Sequence, residues 1–297
     1  MKIAFIILAY KNPEQLSCLI EQLKHPKHFF YVHIDKQKEI APFQKSLEKI
    51  KDANIIHLKR LNSYWGSYNC VKVIINGLKK ASAENFDYYI HLSAQDFPLR
   101  NNEEIQQKLF ESAPQNFMHH FKLADSTWLN KGKDRIESLH FIINGKRILI
   151  DQQKKNKLLK FVYSIWNKLI LKQFDTKQVF YGCEFYFIFH HTAVVEFIKN
   201  LRENFWLRNR LKFTRIPEEI FIPSILFKSK NKIEVVNNTL RYIKWDTLSS
   251  SPKTLDEKDI STFSNGDYLF GRKFDFEINP TLHQKLISYL KNRNKSF

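Results

Sequence analysis

Two aspartates stand where an α/β chain places its chemistry. Asp35 closes an apolar run that starts at Phe29, and Asp96 follows another run in Ser93-Ala94-Gln95-Asp96-Phe97-Pro98-Leu99. In parallel sheets, ligands bind beyond the carboxyl ends of the strands. A carboxylate at Asp35 can there accept from a ribose hydroxyl. The same residue type seats turns and caps helices, and for a lone Asp that reading is favoured. A DxD pair near Asp96 would hold a divalent cation, and the sequence has none at that point. The triplet Asp275-Phe276-Glu277 is similar but lies far downstream and reads as a decoy. Cys18, Cys70 and Cys183 are widely spaced with no CxxC, and His119-His120 and His190-His191 are adjacent pairs. Adjacent residues in a strand face opposite ways, so no zinc-type spacing results. GxGxxG and Walker motifs are missing and glycine is scarce, at 7 residues. A Rossmann dehydrogenase and a P-loop enzyme are thereby set aside. Two further sites carry charge in pairs. Pro217-Glu218-Glu219 opens a helical pattern, where the dipole suits anions, and Arg272-Lys273 are two cations side by side.

These residues need elements to hold them. Lys2 to Tyr10 reads as a buried strand. Asn12-Pro13-Glu14-Gln15 then opens a helix, with Asn12 at the N-cap, Pro13 in the first turn and Gln15 returning a capping-box bond. Leu16, Leu19, Ile20 and Leu23 follow at helical spacing. Phe29 to Asp35, Asn54 to Leu58 and Asp87 to Ser93 read as further strands. Ile40 to Ile50, Ser67 to Ala83 and Asn102 to Glu111 read as the helices between and after them. Such alternation predicts a mainly parallel sheet covered on both faces. The later chain is less regular. We expect a strand over Asn116 to Phe121, a loop-rich stretch from Lys122 to Arg147 and a long aromatic strand from Val179 to His190. Helices are expected over Lys154 to Lys172, Thr192 to Asn204, Pro217 to Lys228 and Pro280 to Lys291, with a short strand from Leu240 to Trp245. No linker interrupts the 297 residues. They read as one domain, with a nucleotide-sugar-binding half over 1–115 and an acceptor-binding and catalytic half over 116–297.

Charge narrows the partners. Lys and Arg number 48 against 30 Asp and Glu, a net +18, in a chain 43% hydrophobic and 26% charged. Such a surface is drawn to nucleic acid, an anionic membrane face or a phosphorylated substrate, and a Lys-rich composition without function is the alternative. A nucleic-acid binder would need a recognisable basic-aromatic motif, and none is evident. Within Lys154 to Lys172, Leu158, Phe161, Val162, Ile165, Trp166, Leu169 and Ile170 share a helical face among lysines. That face either packs on the core or meets an anionic bilayer. Widely spaced cysteines fit a reducing compartment, so we expect a cytoplasmic protein, peripheral on a membrane if at all.

A set of motifs in fixed order adds to this reading. They are Ile6-Ile7-Leu8-Ala9-Tyr10-Lys11-Asn12-Pro13-Glu14-Gln15-Leu16, Val32-His33-Ile34-Asp35-Lys36, Trp65-Gly66 and His91 to Leu99. Pro217-Glu218-Glu219-Ile220-Phe221, Leu240 to Trp245 and Leu269-Phe270-Gly271-Arg272-Lys273-Phe274-Asp275 complete the set. Together they resemble the core-2/I-branching β-1,6-N-acetylglucosaminyltransferase and peptide O-xylosyltransferase family, glycosyltransferase family 14, almost end to end. The resemblance implies a GT-A-like α/β fold, a UDP-sugar donor carrying GlcNAc or xylose, inversion at the anomeric carbon and no metal or other cofactor. A glycan or lipid-linked glycan acceptor and a role in cell-surface polysaccharide or lipooligosaccharide synthesis follow. A metal-dependent glycosyltransferase of another family and a basic nucleic-acid-binding protein are the alternatives.

Residue by residue, the family's Pro-Asp-Glu falls on Pro217-Glu218-Glu219 and makes Glu219 the base that takes the proton of the attacking hydroxyl. The resemblance gives Lys273 to the donor diphosphate, with Arg272 as helper, since without a metal cations must stabilise the leaving group. A second diphosphate-binding arginine of some relatives has no match in Leu248-Ser249-Ser250-Ser251-Pro252. Trp245 and Glu184 fall near the acceptor, the latter within Gly182-Cys183-Glu184-Phe185, where Cys183 stands in place of serine. Arg135 is assigned to the acceptor loop, Asp35 to the nucleoside and Asp96 to the donor sugar.

Overall fold

A computed structural model describes the chain except for residues 152–155, 171–178, 230, 247–250 and 294–297, and the side chains of 167, 169 and 170. The chain enters on β1 (Ile3–Ala9), apolar at every position. Ile3, Phe5 and Ile7 point to one face of the sheet and Ala4 and Ile6 to the other, so a continuous apolar run, not an alternating one, is what a strand covered on both sides requires. Beside β1 lie β2 (His28–Ile34) and then β3 (Asn54–His57), both parallel, joined through α1 (Pro13–Leu23) and α2 (Ala41–Leu47). After α3 (Tyr68–Ala81) the chain returns on the other side of β1 as β4 (Tyr88–Ser93), again parallel, with Ile3 opposite both His28 and Tyr88.

Following β5 (Phe97–Pro98) and α4 (Asn102–Ser112), the second half completes the same sheet. β6 (Asn116–Phe117), β11 (Ile188–His190) and β12 (Val235–Val236) extend it to seven strands in the order β12-β6-β11-β4-β1-β2-β3, with β11 antiparallel to both of its neighbours. Strands of 116–297 thus hydrogen-bond to those of 1–115 in one sheet. The architecture is the mainly parallel α/β sheet with helices on both faces that the alternation predicts. α1, α2, α4 and α11 (Pro280–Arg293) cover one face, around Phe5, Leu19, Phe30 and Leu286. α3, α7 (His191–Glu203) and α9 (Phe221–Leu226) cover the other, around Ile6, Ile74, Phe197 and Phe221. A three-stranded sheet, β13 (Arg241–Ile243), β14 (Phe270–Arg272) and β5, sits at the strand ends, followed in sequence order by α10 (Asp259–Ser264) between β13 and β14.

Several local expectations are corrected. Asn12 sits at φ 53° with no side-chain cap bond to its helix. Its amide donates instead to Asp275 Oδ1 at 2.8 Å, and the Gln15 amide donates to the Ala94 carbonyl. Tertiary contacts have taken the groups that a cap would use. The strand expected over Asn116 to Phe121 is two, β6 and β7 (His120–Lys122). The aromatic strand from Val179 breaks into β10 (Tyr181–Cys183), paired with β7, and β11, with Phe185 at φ 72° between them. The stretch from Lys122 to Arg147 is not all loop. α5 (Lys133–Glu137) precedes a hairpin, β8 (Leu139–Ile143) and β9 (Lys146–Ile150). Asn144 and Gly145 turn it with φ 48° and 78°, a two-residue turn with both central φ positive. α6 (Lys157–Ile170) follows, and Lys154, Lys155 and Lys172 of the expected helix lie outside the described residues. α8 (Phe205–Leu211) was not expected.

Candidate active site

The cationic side of the site is built where β1, β4 and β14 end together. β14 pairs with β5 and β13, so Arg272 and Arg241 come onto one small sheet beside the loop from Ser93 to Asp96. Asp96 is wholly buried. Its Oδ2 accepts from the Ser93 amide and hydroxyl, both at 2.6 Å, and Arg241 Nε lies 2.9 Å from Oδ1. Arg272 Nη1 donates to Ser93 Oγ at 2.5 Å and lies 3.4 Å from Asp96 Oδ2, with its guanidinium 4.7 Å over the Tyr186 ring. One buried carboxylate therefore holds two arginines, Arg241 fully buried and Arg272 partly exposed. Asp96, expected on the donor side with the sugar, has no exposed surface and lies against Arg272. His91 stacks on Tyr186 and its Nδ1 lies 2.8 Å from the Phe185 carbonyl. Burial, with Arg241 and Arg272 adding, pushes its pKa down to about 3, so it is a neutral spacer.

Lys273 and Lys11 join Arg272. Burial, then Arg272 and Lys11, lower the Lys273 pKa, with Asp275 opposing. Asp275 pairs with Lys11 and accepts from Asn12. Burial works against its charge, but the hydrogen bonds from Lys11 and Asn12 hold its carboxyl below the usual range. The supposed decoy triplet thus contains the residue that pins the end of β1 to the end of β14. Asp35 is buried, and both oxygens are engaged: Oδ1 by the Gln37 amide at 2.8 Å, Oδ2 by the Ser63 hydroxyl at 2.7 Å. It seats the turn after β2, as its residue type alone allows.

The acidic side comes from a single turn. Pro217–Glu219 is a 3-10 turn followed by α9, not the start of one long helix, and Ile216 before it is left-handed at φ 53°. With three residues per turn, successive side chains diverge by about 120°, and the two glutamates part. Glu218 points inward. Its Oε1 accepts from the Gly66 amide at 2.7 Å, its Oε2 is buried without a partner, and burial, with Glu219 adding, pushes its pKa up to about 8. Gly66 presents that amide at φ 76°, where a side chain would be strained.

Glu219 points outward, with 28% of its side chain exposed, and pairs with Arg135. Arg135 stacks on Trp128 at 3.5 Å. Burial raises the Glu219 pKa, Arg135 opposes the rise, and Glu184 adds to it. Glu184, also 28% exposed, follows β10 and lies 3.6 Å from His119 Nδ1. Cys183 beneath it is a buried thiol, its pKa raised by burial. A Cβ on Gly182 would sit 2.5 Å from the Phe121 ring, so only glycine allows β10 this close to β7.

Of the expected residues, the structure therefore brings Glu219, Glu184 and Arg135 together on one side and Arg272 and Lys273 together on the other. The Arg241 guanidinium is within the electrostatic reach of both Asp96 and Glu184. Arg135, assigned to the acceptor, is first of all the partner of Glu219. Trp245 is half exposed just past β13. The Leu248-to-Pro252 stretch lies largely outside the described residues. Sequence reading gave no role to Lys11, Arg241 or Glu218. Lys11 and Arg241 stand inside the quoted motifs, and Lys11 follows the end of β1, a position that marked it for inspection. Among the described residues, no three His, Cys, Asp or Glu side chains gather as a metal ion would need.

Lys11, Arg272 and Lys273 thus gather past the carboxyl ends of a mainly parallel sheet, and Glu184 and Glu219 add two partly exposed carboxylates. The chain belongs to the Core-2/I-branching enzyme family, whose profile matches residues 3–268. It is 22% identical over 316 residues to xylosyltransferase 2 of Mus musculus, covering 98% of this chain and 34% of that protein. It is 20% identical over 317 residues to xylosyltransferase 1 of Rattus norvegicus, covering 98% and 35%. The chain thus spans about a third of the length of these curated relatives. Among solved structures, 4-diphosphocytidyl-2C-methyl-D-erythritol synthase from Anaerococcus prevotii aligns over 89% of this chain and 94% of its own, at 14% identity and a TM-score of 0.39.

Proposed function

We propose that the chain transfers a sugar from a UDP-sugar to a hydroxyl of a glycan acceptor, with inversion and without a metal. In this reading, Lys273, Arg272 and Lys11 hold the diphosphate and stabilise the charge that grows on it as the glycosidic bond to C1 breaks. The acceptor oxygen attacks C1 from the opposite side, and its proton passes to a Glu219 carboxylate oxygen. Arg135 keeps that carboxylate ionised and oriented, Glu184 and Trp245 meet the acceptor, and Asp35 shapes the turn beside the nucleoside. The observation that carries the reading is the pairing of a partly exposed Glu219 with Arg135, in a chain that gathers Lys11, Arg272 and Lys273 at the strand ends. GlcNAc and xylose remain the two donors considered: the family is named for branching enzymes, and the curated relatives transfer xylose by name. The metal-free reading draws support from Asp96, whose oxygens are engaged by Ser93 and two arginines. The thiols of Cys18, Cys70 and Cys183 are free, in keeping with a cytoplasmic setting.

The test is titration with UDP in EDTA, read by the melting temperature. UDP should raise it, DNA of equal charge should not, and Lys273→Ala should weaken UDP binding at least about tenfold, as the loss of one charge-assisted contact implies. A strict requirement for manganese or magnesium, or wild-type UDP affinity in Lys273→Ala, would contradict the reading. UDP release from candidate donors then separates GlcNAc from xylose.

A further inference from the structure

The hairpin β8–β9 and helix α6 form a small layer outside the main sheet. Its own core is Leu139, Ile150 and Tyr163, with Phe141, Leu159, Trp166 and Phe213 packed against them. Tyr163 donates to the Glu137 carbonyl, and Trp166 meets Phe213 edge-on at 4.9 Å, so this side of α6 is fastened down. At 100° per residue, Leu159, Tyr163 and Trp166 lie on one side of the helix, and Leu158, Phe161, Val162 and Ile165 lie on the other. That second stripe is bare: Leu158 is 67% exposed and Phe161 62%. Trp166, grouped with the stripe by spacing alone, belongs to the packed side. The hairpin carries further exposed apolar side chains, Ile143 and Ile148 on one face and Leu149 on the other.

Charge says what covers it. Lys157 and Lys168 lie along one edge of the bare stripe by helical spacing, with Lys160 further round, and all three are exposed. Lys146 and Arg147, at the hairpin end, are exposed as well. From Leu139 to Ile170 the sequence has seven Lys and Arg against a single acid, Asp151. A protein partner matched to this stripe would need acidic groups ringing an apolar groove. A bilayer with anionic headgroups offers both features at once, because the apolar side chains enter the acyl boundary while lysines snorkel to the phosphates. No helix among the described residues is long and apolar enough to cross a membrane, and α6 itself spans 14 residues.

We propose that this face of α6 and the hairpin docks the chain on an anionic lipid bilayer, lying in the interface without crossing it. The layer adjoins the candidate active site: α5, which carries Arg135, leads directly into β8, and Arg147 lies 4.8 Å from the Trp65 ring beside Gly66. Docking therefore sets the acceptor side of the cleft close to the headgroups. The docking itself does not depend on the transferase reading.

The experiment is flotation of the whole chain with phosphatidylcholine vesicles, with and without phosphatidylglycerol, at low and high salt. The chain should float only with the anionic vesicles, and less at high salt, because screening shortens the reach of the lysines to about 10 Å at 0.1 M. Phe161→Glu with Ile165→Glu should abolish flotation. Both side chains are already exposed, so the melting temperature should stay put. Lys157→Gln, Lys160→Gln and Lys168→Gln together should lower partitioning about a hundredfold, at about 1 kcal/mol for each basic residue near the surface. The same charge loss at Lys45, Lys49 and Lys51, exposed around α2 on the other face of the sheet, should change it far less. The proposal is overturned if the chain ignores anionic vesicles at low salt, or if either α6 variant floats like the parent. It is equally overturned if the α2 variant loses as much as the α6 variant, or if the chain is a dimer that Phe161→Glu with Ile165→Glu splits, since the face would then join two copies.

Discussion

Glu218 and Glu219 are neighbours in sequence with opposite environments, and two pH experiments separate them. Glu218 keeps its proton in the folded chain up to about pH 8, whereas an ordinary glutamate releases it near 4.5. Between these values the folded chain holds one more proton than the unfolded chain, so this residue's contribution to stability falls as pH rises from 4.5 to 8. Glu218→Gln still accepts from Gly66 and has no charge to bury. It should melt like the parent at pH 5 and higher than the parent at pH 9; parallel pH profiles would contradict the burial argument. Glu219 must be ionised to accept a proton. Its pKa is raised by burial and restrained by Arg135. Turnover should therefore fall on the acid side at a pH above the usual carboxylate range. Arg135→Gln should move that limb further up. An unmoved limb in the pH dependence of kcat/KM would mean that Arg135 serves the acceptor alone.

At the scale of elements, the sheet depends on periodicity that sequence shows well, and the site depends on loops that it shows poorly. β1, β2 and β4 were legible because both faces are covered and their runs are almost wholly apolar or aromatic, interrupted only by His33 in β2 and His91 in β4. The parallel order followed from the intervening helices. The motif residues Glu219, Arg272 and Lys273 were legible only through the resemblance, since a carboxylate pair after a proline and two adjacent cations are common on any surface. The 3-10 turn that parts Glu218 from Glu219 was hidden, because Pro217 begins a helix and a 3-10 turn equally well. The hairpin at Asn144-Gly145 is readable from its Asn-Gly pair alone, although the surrounding stretch has the composition of a loop. Lys11 and Arg241 acquire their roles only through β14, whose pairing with β5 and β13 bridges distant segments. One element-scale consequence concerns β10. Gly182→Ala places a methyl 2.5 Å from the Phe121 ring. Overpacking of this kind costs about 1–3 kcal/mol, and the displaced β10 carries Glu184 toward Glu219. The variant should melt lower and lose acceptor affinity while keeping UDP affinity; unchanged melting would show that β7 yields freely.

For the whole molecule, the net charge of +18 includes two local concentrations. One is the cluster of Lys11, Arg272 and Lys273 at the strand ends. The other is the lysine border of α6. Strands from both halves of the chain join one sheet, so the cation cluster and Glu219 belong to one body. The central claim is that Glu219 takes the acceptor proton while the cations hold the donor. The most direct measurement compares Glu219→Gln with the parent in sugar transfer and in UDP binding. Gln keeps the size and cannot take the proton, and a positioned general base contributes about 10²–10⁴-fold. We predict a fall in kcat of that order with UDP affinity nearly unchanged, and Glu218→Gln far more active than Glu219→Gln. Near-normal transfer by Glu219→Gln, or Glu218→Gln as the inactive variant, would contradict it.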